Sequence, residues 1–120
     1  MKRRRLVLAA AAALMSPAST ASAHARLRSA APAPGEILIT APKAVSIVFS
    51  EALEPKFSRI EVSNAAGSRV DDGAAHGGAD AKTLVVALKP LTPGDYKVAW
   101  WATSIDTHKT EGSFTFMIHG

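Results

Sequence analysis

Leu91-Thr92-Pro93-Gly94-Asp95-Tyr96-Lys97-Val98 is the stretch that decides how this chain folds. Pro93-Gly94 is a turn signal, because proline presets its own φ and glycine reaches backbone conformations that other residues avoid. Residues 95–104 then read as one long strand, with Val98 and Trp100 on one face and Ala99 and Trp101 on the other. Adjacent tryptophans in a strand divide their duties, one ring in the core and its neighbour facing out. Tyr96 stands at the corner itself. A tyrosine there can return its hydroxyl to the backbone ahead of the turn, as at the corner of immunoglobulin-like sandwiches. An ordinary Pro-Gly turn with a half-buried tyrosine gives the same strand without that bond.

Outward from this corner the chain alternates short apolar runs with turn residues. Val45, Ile47 and Phe49 alternate with Ser46, Val48 and Ser50, the two-residue period of a strand with one buried face. Ile60 and Val62 resume the signal after Pro55, Leu84 to Leu88 is a short apolar run closed by Lys89-Pro90, and Phe114, Phe116 and Ile118 alternate at the end. Glycines and prolines separate these runs, and no segment has a convincing helical period. The pattern predicts an all-β fold, an antiparallel β-sandwich or Greek-key barrel of immunoglobulin- or cupredoxin-like form with about seven strands. Residues 71–81, rich in Gly, Ala and Asp, read as a surface loop.

The N-terminal segment is of another kind. Lys2-Arg3-Arg4-Arg5 is a basic start, Leu6 to Met15 an apolar run of ten residues, and Ala21-Ser22-Ala23 a small-residue cleavage signature. Ten apolar residues fall well short of the roughly 20 that span a bilayer. Residues 1–23 are therefore expected to be a cleaved signal peptide, and residues 24–120 one exported domain, expected as a monomer without stable membrane insertion. Four of the chain's 14 basic residues leave with the leader, so 10 basic face 10 acidic side chains in the remainder. The high pI belongs to the leader, which removes the case for a nucleic-acid or membrane-surface partner. The chain has no cysteine, which excludes disulfides, zinc–thiolate sites and cysteine nucleophiles together.

Histidine carries what chemistry remains. Cleavage after Ala23 makes His24 the first residue, and its free α-amine and imidazole can close a chelate ring on one metal ion. Asp106-Thr107-His108 follows the long strand. In extended backbone, residues two apart project to the same side, so Asp106 and His108 can reach one point; a surface hydrogen-bonding pair is the alternative. Together with His24 they make a set of three nitrogens and one oxygen. Such a set in a tetragonal plane suits Cu(II), which heads the divalent affinity order. Zinc can use it tetrahedrally, and nickel is a further option.

His24-Ala25-Arg26-Leu27, Phe49-Ser50-Glu51, the corner from Leu91 to Tyr96 and Ser104-Ile105-Asp106-Thr107-His108 occur in this order. The mature chain thereby resembles the CopC periplasmic copper-binding proteins along essentially its whole length. The resemblance implies a small β-sandwich in the periplasm that binds Cu(II) through His24, Asp106 and His108. It places Glu51 at or just outside the metal, hydrogen-bonded to the terminal amine or approaching axially. Some CopC proteins carry a second, Cu(I) site in a methionine-rich loop. The corresponding region here, roughly residues 62–75, has no methionine, so no Cu(I) site is expected. A CopD-type inner-membrane protein is the partner implied.

Other histidines rank lower. His76 lies in the Gly-rich stretch near Asp71 and Asp72, and His119 beside the C-terminus; both read as solvated. No serine has a histidine–carboxylate pair that would make a hydrolytic triad, and the chain is expected not to be an enzyme. Two rivals stay open at this point. Copper-dependent polysaccharide monooxygenases also use a terminal histidine on a β-sandwich, though usually in larger proteins with an aromatic-bearing surface. A structural or adhesive sandwich would leave His24 and Asp106–His108 coincidental.

Overall fold

The computed structural model describes residues 24–120; the expected signal peptide, residues 1–23, lies outside the described residues. Eight strands follow one another: β1 (Leu27–Ala31), β2 (Ile37–Leu38), β3 (Ala44–Phe49), β4 (Arg59–Asn64), β5 (Asp71–Gly77), β6 (Thr83–Leu88), β7 (Gly94–Thr103) and β8 (Lys109–Ile118). They form two four-stranded sheets, in the orders β1-β3-β6-β5 and β2-β8-β7-β4. A single 3₁₀ turn, Pro55–Phe57, precedes β4. All pairings are antiparallel except β2 with β8. The expected sandwich is the one observed, with the two-residue β2 raising the strand count to eight.

The alternation read from sequence sets the inner faces. Val45, Ile47 and Phe49 from β3 and Leu84, Val86 and Leu88 from β6 meet Ile60, Val62, Val98, Trp100, Phe116 and Ile118 from the other sheet. Each such side chain contributes about 1.5–3 kcal/mol on burial, which is what a domain without disulfides has to hold it together. The Trp100 ring meets Phe49 edge-on at 5.0 Å between centroids. Gly112 lies opposite Trp100 in the ladder; a Cβ there would come within 2.6 Å of the indole, so the ring fits only over glycine. Trp101 faces out, with the Arg59 guanidinium 3.9 Å from its ring centroid. The Tyr96 hydroxyl donates to the Thr92 carbonyl at 2.6 Å and accepts from the Thr92 amide at 3.2 Å. The corner is thus the one found in immunoglobulin-like sandwiches.

One expectation is corrected. Residues 71–77 form β5, an edge strand against β6, rather than a loop. Its register shifts between Asp72 and His76, and Gly73 takes a positive φ of 90°. Such an irregular edge strand buries little side chain, so backbone pairing holds it and no apolar period marks it.

Candidate metal centre

The first residues of the domain and the β7–β8 hairpin meet at one end of the sandwich. β1 pairs with β3 so that Leu27 stands opposite Phe49, which brings His24 to the end of β3. Ser50, the next residue, holds it there. Its amide donates to the Arg26 carbonyl at 2.8 Å. Its hydroxyl accepts from the Arg26 amide at 2.8 Å and donates to the His24 carbonyl at 3.3 Å. Ala25 is buried, and Thr110 on β8 donates to its carbonyl at 2.8 Å. Residues at opposite ends of the domain are thereby juxtaposed: the His24 and His108 rings lie 4.8 Å apart between centroids, tilted by 53°.

The hairpin delivers His108 through a turn. The Thr107 amide donates to the Ser104 carbonyl at 2.8 Å, and the Ser104 amide to the His108 carbonyl at 2.9 Å. Thr107 sits at φ 72°, left-handed backbone that a β-branched residue rarely adopts. Asp106 and His108 converge because of this reversal, not because the segment is extended as its spacing suggested. The Asp106 Oδ2 atom lies 3.2 Å from His108 Nδ1. With Nδ1 turned to the carboxylate, Nε2 is the nitrogen left to face an ion.

Ser104 is the residue that sequence reasoning left without a role. It is buried, its hydroxyl donates a short hydrogen bond to Asp106 Oδ1, and the His108 carbonyl is 3.2 Å away. The Ser104 hydroxyl first, and His108 after it, hold the Asp106 carboxyl below the usual carboxylate range. Each carboxylate oxygen keeps a further lone pair for another partner. The signal for this role was present, a small hydroxyl residue opening a turn that closes on Asp and His, but its burial was not.

Glu51 is carried to the same end. It is half-buried between Ser50, which binds the terminus, and Ala52, whose carbonyl accepts from the Ile105 amide at 3.1 Å. None of the ion pairs among the described residues uses it. His76 and His119 lie elsewhere: His76 Nδ1 donates to the Gly77 carbonyl at 2.9 Å on β5, and His119 follows β8 at the far end of that strand. Among the described residues no three His, Asp or Glu side chains gather closely enough to hold an ion by themselves. The side chains supply a pair of imidazoles with a carboxylate behind one of them, a partial ligand set.

A family model, the CopC domain, matches residues 27–119. The chain belongs to the CopC family. It is 39% identical over 105 residues to copper resistance protein C of Pseudomonas syringae pv. tomato, covering 82% of each chain. Among solved structures it is similar to CopC from Methylosinus trichosporium OB3b, with a TM-score of 0.75 and 30% identity, over 80% of this chain and 94% of that one. It is also similar to PcoC, a methionine-rich copper resistance protein from Escherichia coli, with a TM-score of 0.72 and 34% identity, over 80% and 99% of the two chains. CopC proteins bind copper and are not enzymes, so membership decides against the monooxygenase and adhesive readings. Among the described residues no helix is long and apolar enough to cross a membrane.

Proposed function

We propose that the processed chain, beginning at His24, binds a single Cu(II) ion in the periplasm and sequesters or delivers it. The ligands are the His24 amine and imidazole, an Asp106 oxygen and the His108 imidazole, with Glu51 at or just outside the ion. The observation that carries this reading is the contact of the His24 and His108 rings, brought together by the fold from far apart in the sequence. Two imidazoles and a carboxylate are hard-to-intermediate donors suited to Cu(II), and the incomplete side-chain set is what a third nitrogen from a free amine would complete. Residues 62–75 offer no thioether for Cu(I). A CopD-type inner-membrane protein is the proposed recipient where copper is delivered.

Cleavage after Ala23 then creates a ligand, since an uncleaved chain has an amide where the site needs an amine. Imidazole and amine bind only when neutral, so copper binding releases protons and affinity falls as pH drops. The test is a Cu(II) titration followed by electron paramagnetic resonance on the processed protein and on His24→Ala, Asp106→Ala and His108→Ala. Nitrogen-rich Cu(II) that weakens in each variant, and in a chain with one residue added before His24, is the expected result. A copper spectrum indifferent to all four changes refutes the site.

A further inference from the structure

A chain terminus is ordinarily the least ordered part of a domain. Yet the proposed chelate needs the first residue placed beside a hairpin that lies far from it in the sequence. Three polar groups of the domain hold the segment: the Ser50 amide and hydroxyl, and the Thr110 hydroxyl. Of these, only the Ser50 hydroxyl reaches His24 itself. It does so at the carbonyl, the one backbone group of His24 that cleavage leaves unchanged and that a chelate through amine and ring does not use. A lone pair of the same hydroxyl accepts from the Arg26 amide at 2.8 Å, so one oxygen fixes residues 24 and 26 on either side of buried Ala25.

We propose that Ser50 is a positioning residue for copper: it touches neither the ion nor a donor atom, and its hydroxyl holds the chelating terminus against His108 before the ion arrives. This rests on the proposed His24 site. The mechanism is entropic. A terminus already docked loses less freedom when it closes on the metal, so affinity rises without a new ligand. The Ser50 amide bond to Arg26 survives substitution, and water can reach the exposed hydrogen-bonding groups that the hydroxyl serves, which keeps the fold.

Competition titrations with Cu(II) on processed wild type, Ser50→Ala, Ser50→Thr and His24→Ala test this. Ser50→Ala is expected to bind about 3–10-fold more weakly, the scale of one re-ordered segment, with the wild-type copper spectrum and a nearly unchanged metal-free melting temperature. Ser50→Thr restores the hydroxyl and stays within about twofold. Metal-free wild type should also show a protected Arg26 amide in hydrogen exchange, a measurement that needs no variant to fold. If His24→Ala abolishes binding while Ser50→Ala matches wild type, the clamp is wrong and the site stands. If His24→Ala binds as wild type does, the site itself fails. A fall in melting temperature with affinity untouched, or an Arg26 amide that exchanges freely, overturns the positioning role.

Discussion

Two hairpin turns in this sandwich share a backbone and differ in nearly everything else. In Asn64–Ser68 the Gly67 amide donates to the Asn64 carbonyl at 2.9 Å and the Asn64 amide to the Ser68 carbonyl at 2.9 Å. In Ser104–His108 the same two bonds recur at 2.8 and 2.9 Å. Ser63 pairs with Arg69 outside the first turn as Thr103 pairs with Lys109 outside the second. The fourth residue is left-handed in both, at φ 86° for Gly67 and 72° for Thr107. The first turn is built for the backbone: Asn64 Oδ1 accepts from the Ala66 and Ser68 amides, and glycine takes the left-handed position without strain. The second puts threonine there, and its opening serine donates to a carboxylate. One geometry therefore serves closure in the first turn and, in the proposed site, ligand display in the second, where the residues depart from turn preference.

Exchanging the turns tests this most severely. A chain with Ser104→Asn, Ile105→Ala, Asp106→Ala, Thr107→Gly and His108→Ser should fold, since the backbone bonds are those of the other turn. It should lose Cu(II) affinity by more than about 100-fold, beyond the effect of removing outer-shell partners alone. Circular dichroism and a copper titration check both halves. A copper site surviving the exchange would separate the hairpin from the metal.

The next largest effect concerns the carboxylate associated with each turn. Asp71, just past the first, has a side chain only 6% exposed; it accepts from the Val62 amide at 2.9 Å and from Arg69 at 2.6 and 2.7 Å. Burial pushes its carboxyl up, but the bonds from Arg69 and Val62 outweigh burial and leave it below the ordinary value. A lowered folded-state pKa means stability that is fully present above the unfolded value near about 3.9 and is lost as pH falls through the folded one. Asp71→Ala should cost about 1–3 kcal/mol at neutral pH, because Val62 keeps a buried, unpaired amide. Its stability should also fall less than wild type on acidification below about pH 4. Denaturant melts at several pH values measure this. Asp106 is the contrast: its side chain is 47% exposed, so Asp106→Asn should leave the metal-free fold nearly as stable while weakening copper. Gly67→Thr comes third. A Cβ at Gly67 meets nothing within 4 Å, so the cost is backbone strain alone, about 1–2 kcal/mol.

What could be read from the sequence divides along the same line. Strands that bury alternate side chains announced themselves, as Val45, Ile47 and Phe49 did, and so did the Tyr96 corner, because apolar period and turn chemistry are local. β5 did not, since pairing with β6 rather than its own side chains makes it a strand. At the candidate site the residue types of His24, Asp106 and His108 were legible, and the means of gathering them was not. A left-handed threonine has no sequence signature, and Ser50 and Ser104 act through contacts that only the fold creates.

The smallest effect is the sharpest test of the comparison. Thr107→Gly gives the second turn the residue the first one has. Relief of left-handed threonine is worth about 1–2 kcal/mol, and the greater freedom of glycine in the unfolded chain takes back about 0.5–1 kcal/mol. The net is about 0–1.5 kcal/mol in favour of the variant, centred on a rise of a few degrees in melting temperature for a domain of this size. Copper affinity should move the other way, by less than about fivefold, because a looser turn holds Asp106 and His108 less firmly. Thermal melts with and without Cu(II) give both signs at once. A metal-free variant that melts lower would mean that the Thr107 hydroxyl, which donates to the Asp106 carbonyl, outweighs the strain. The second turn would then be stabilised by its side chains as firmly as the first is by Asn64.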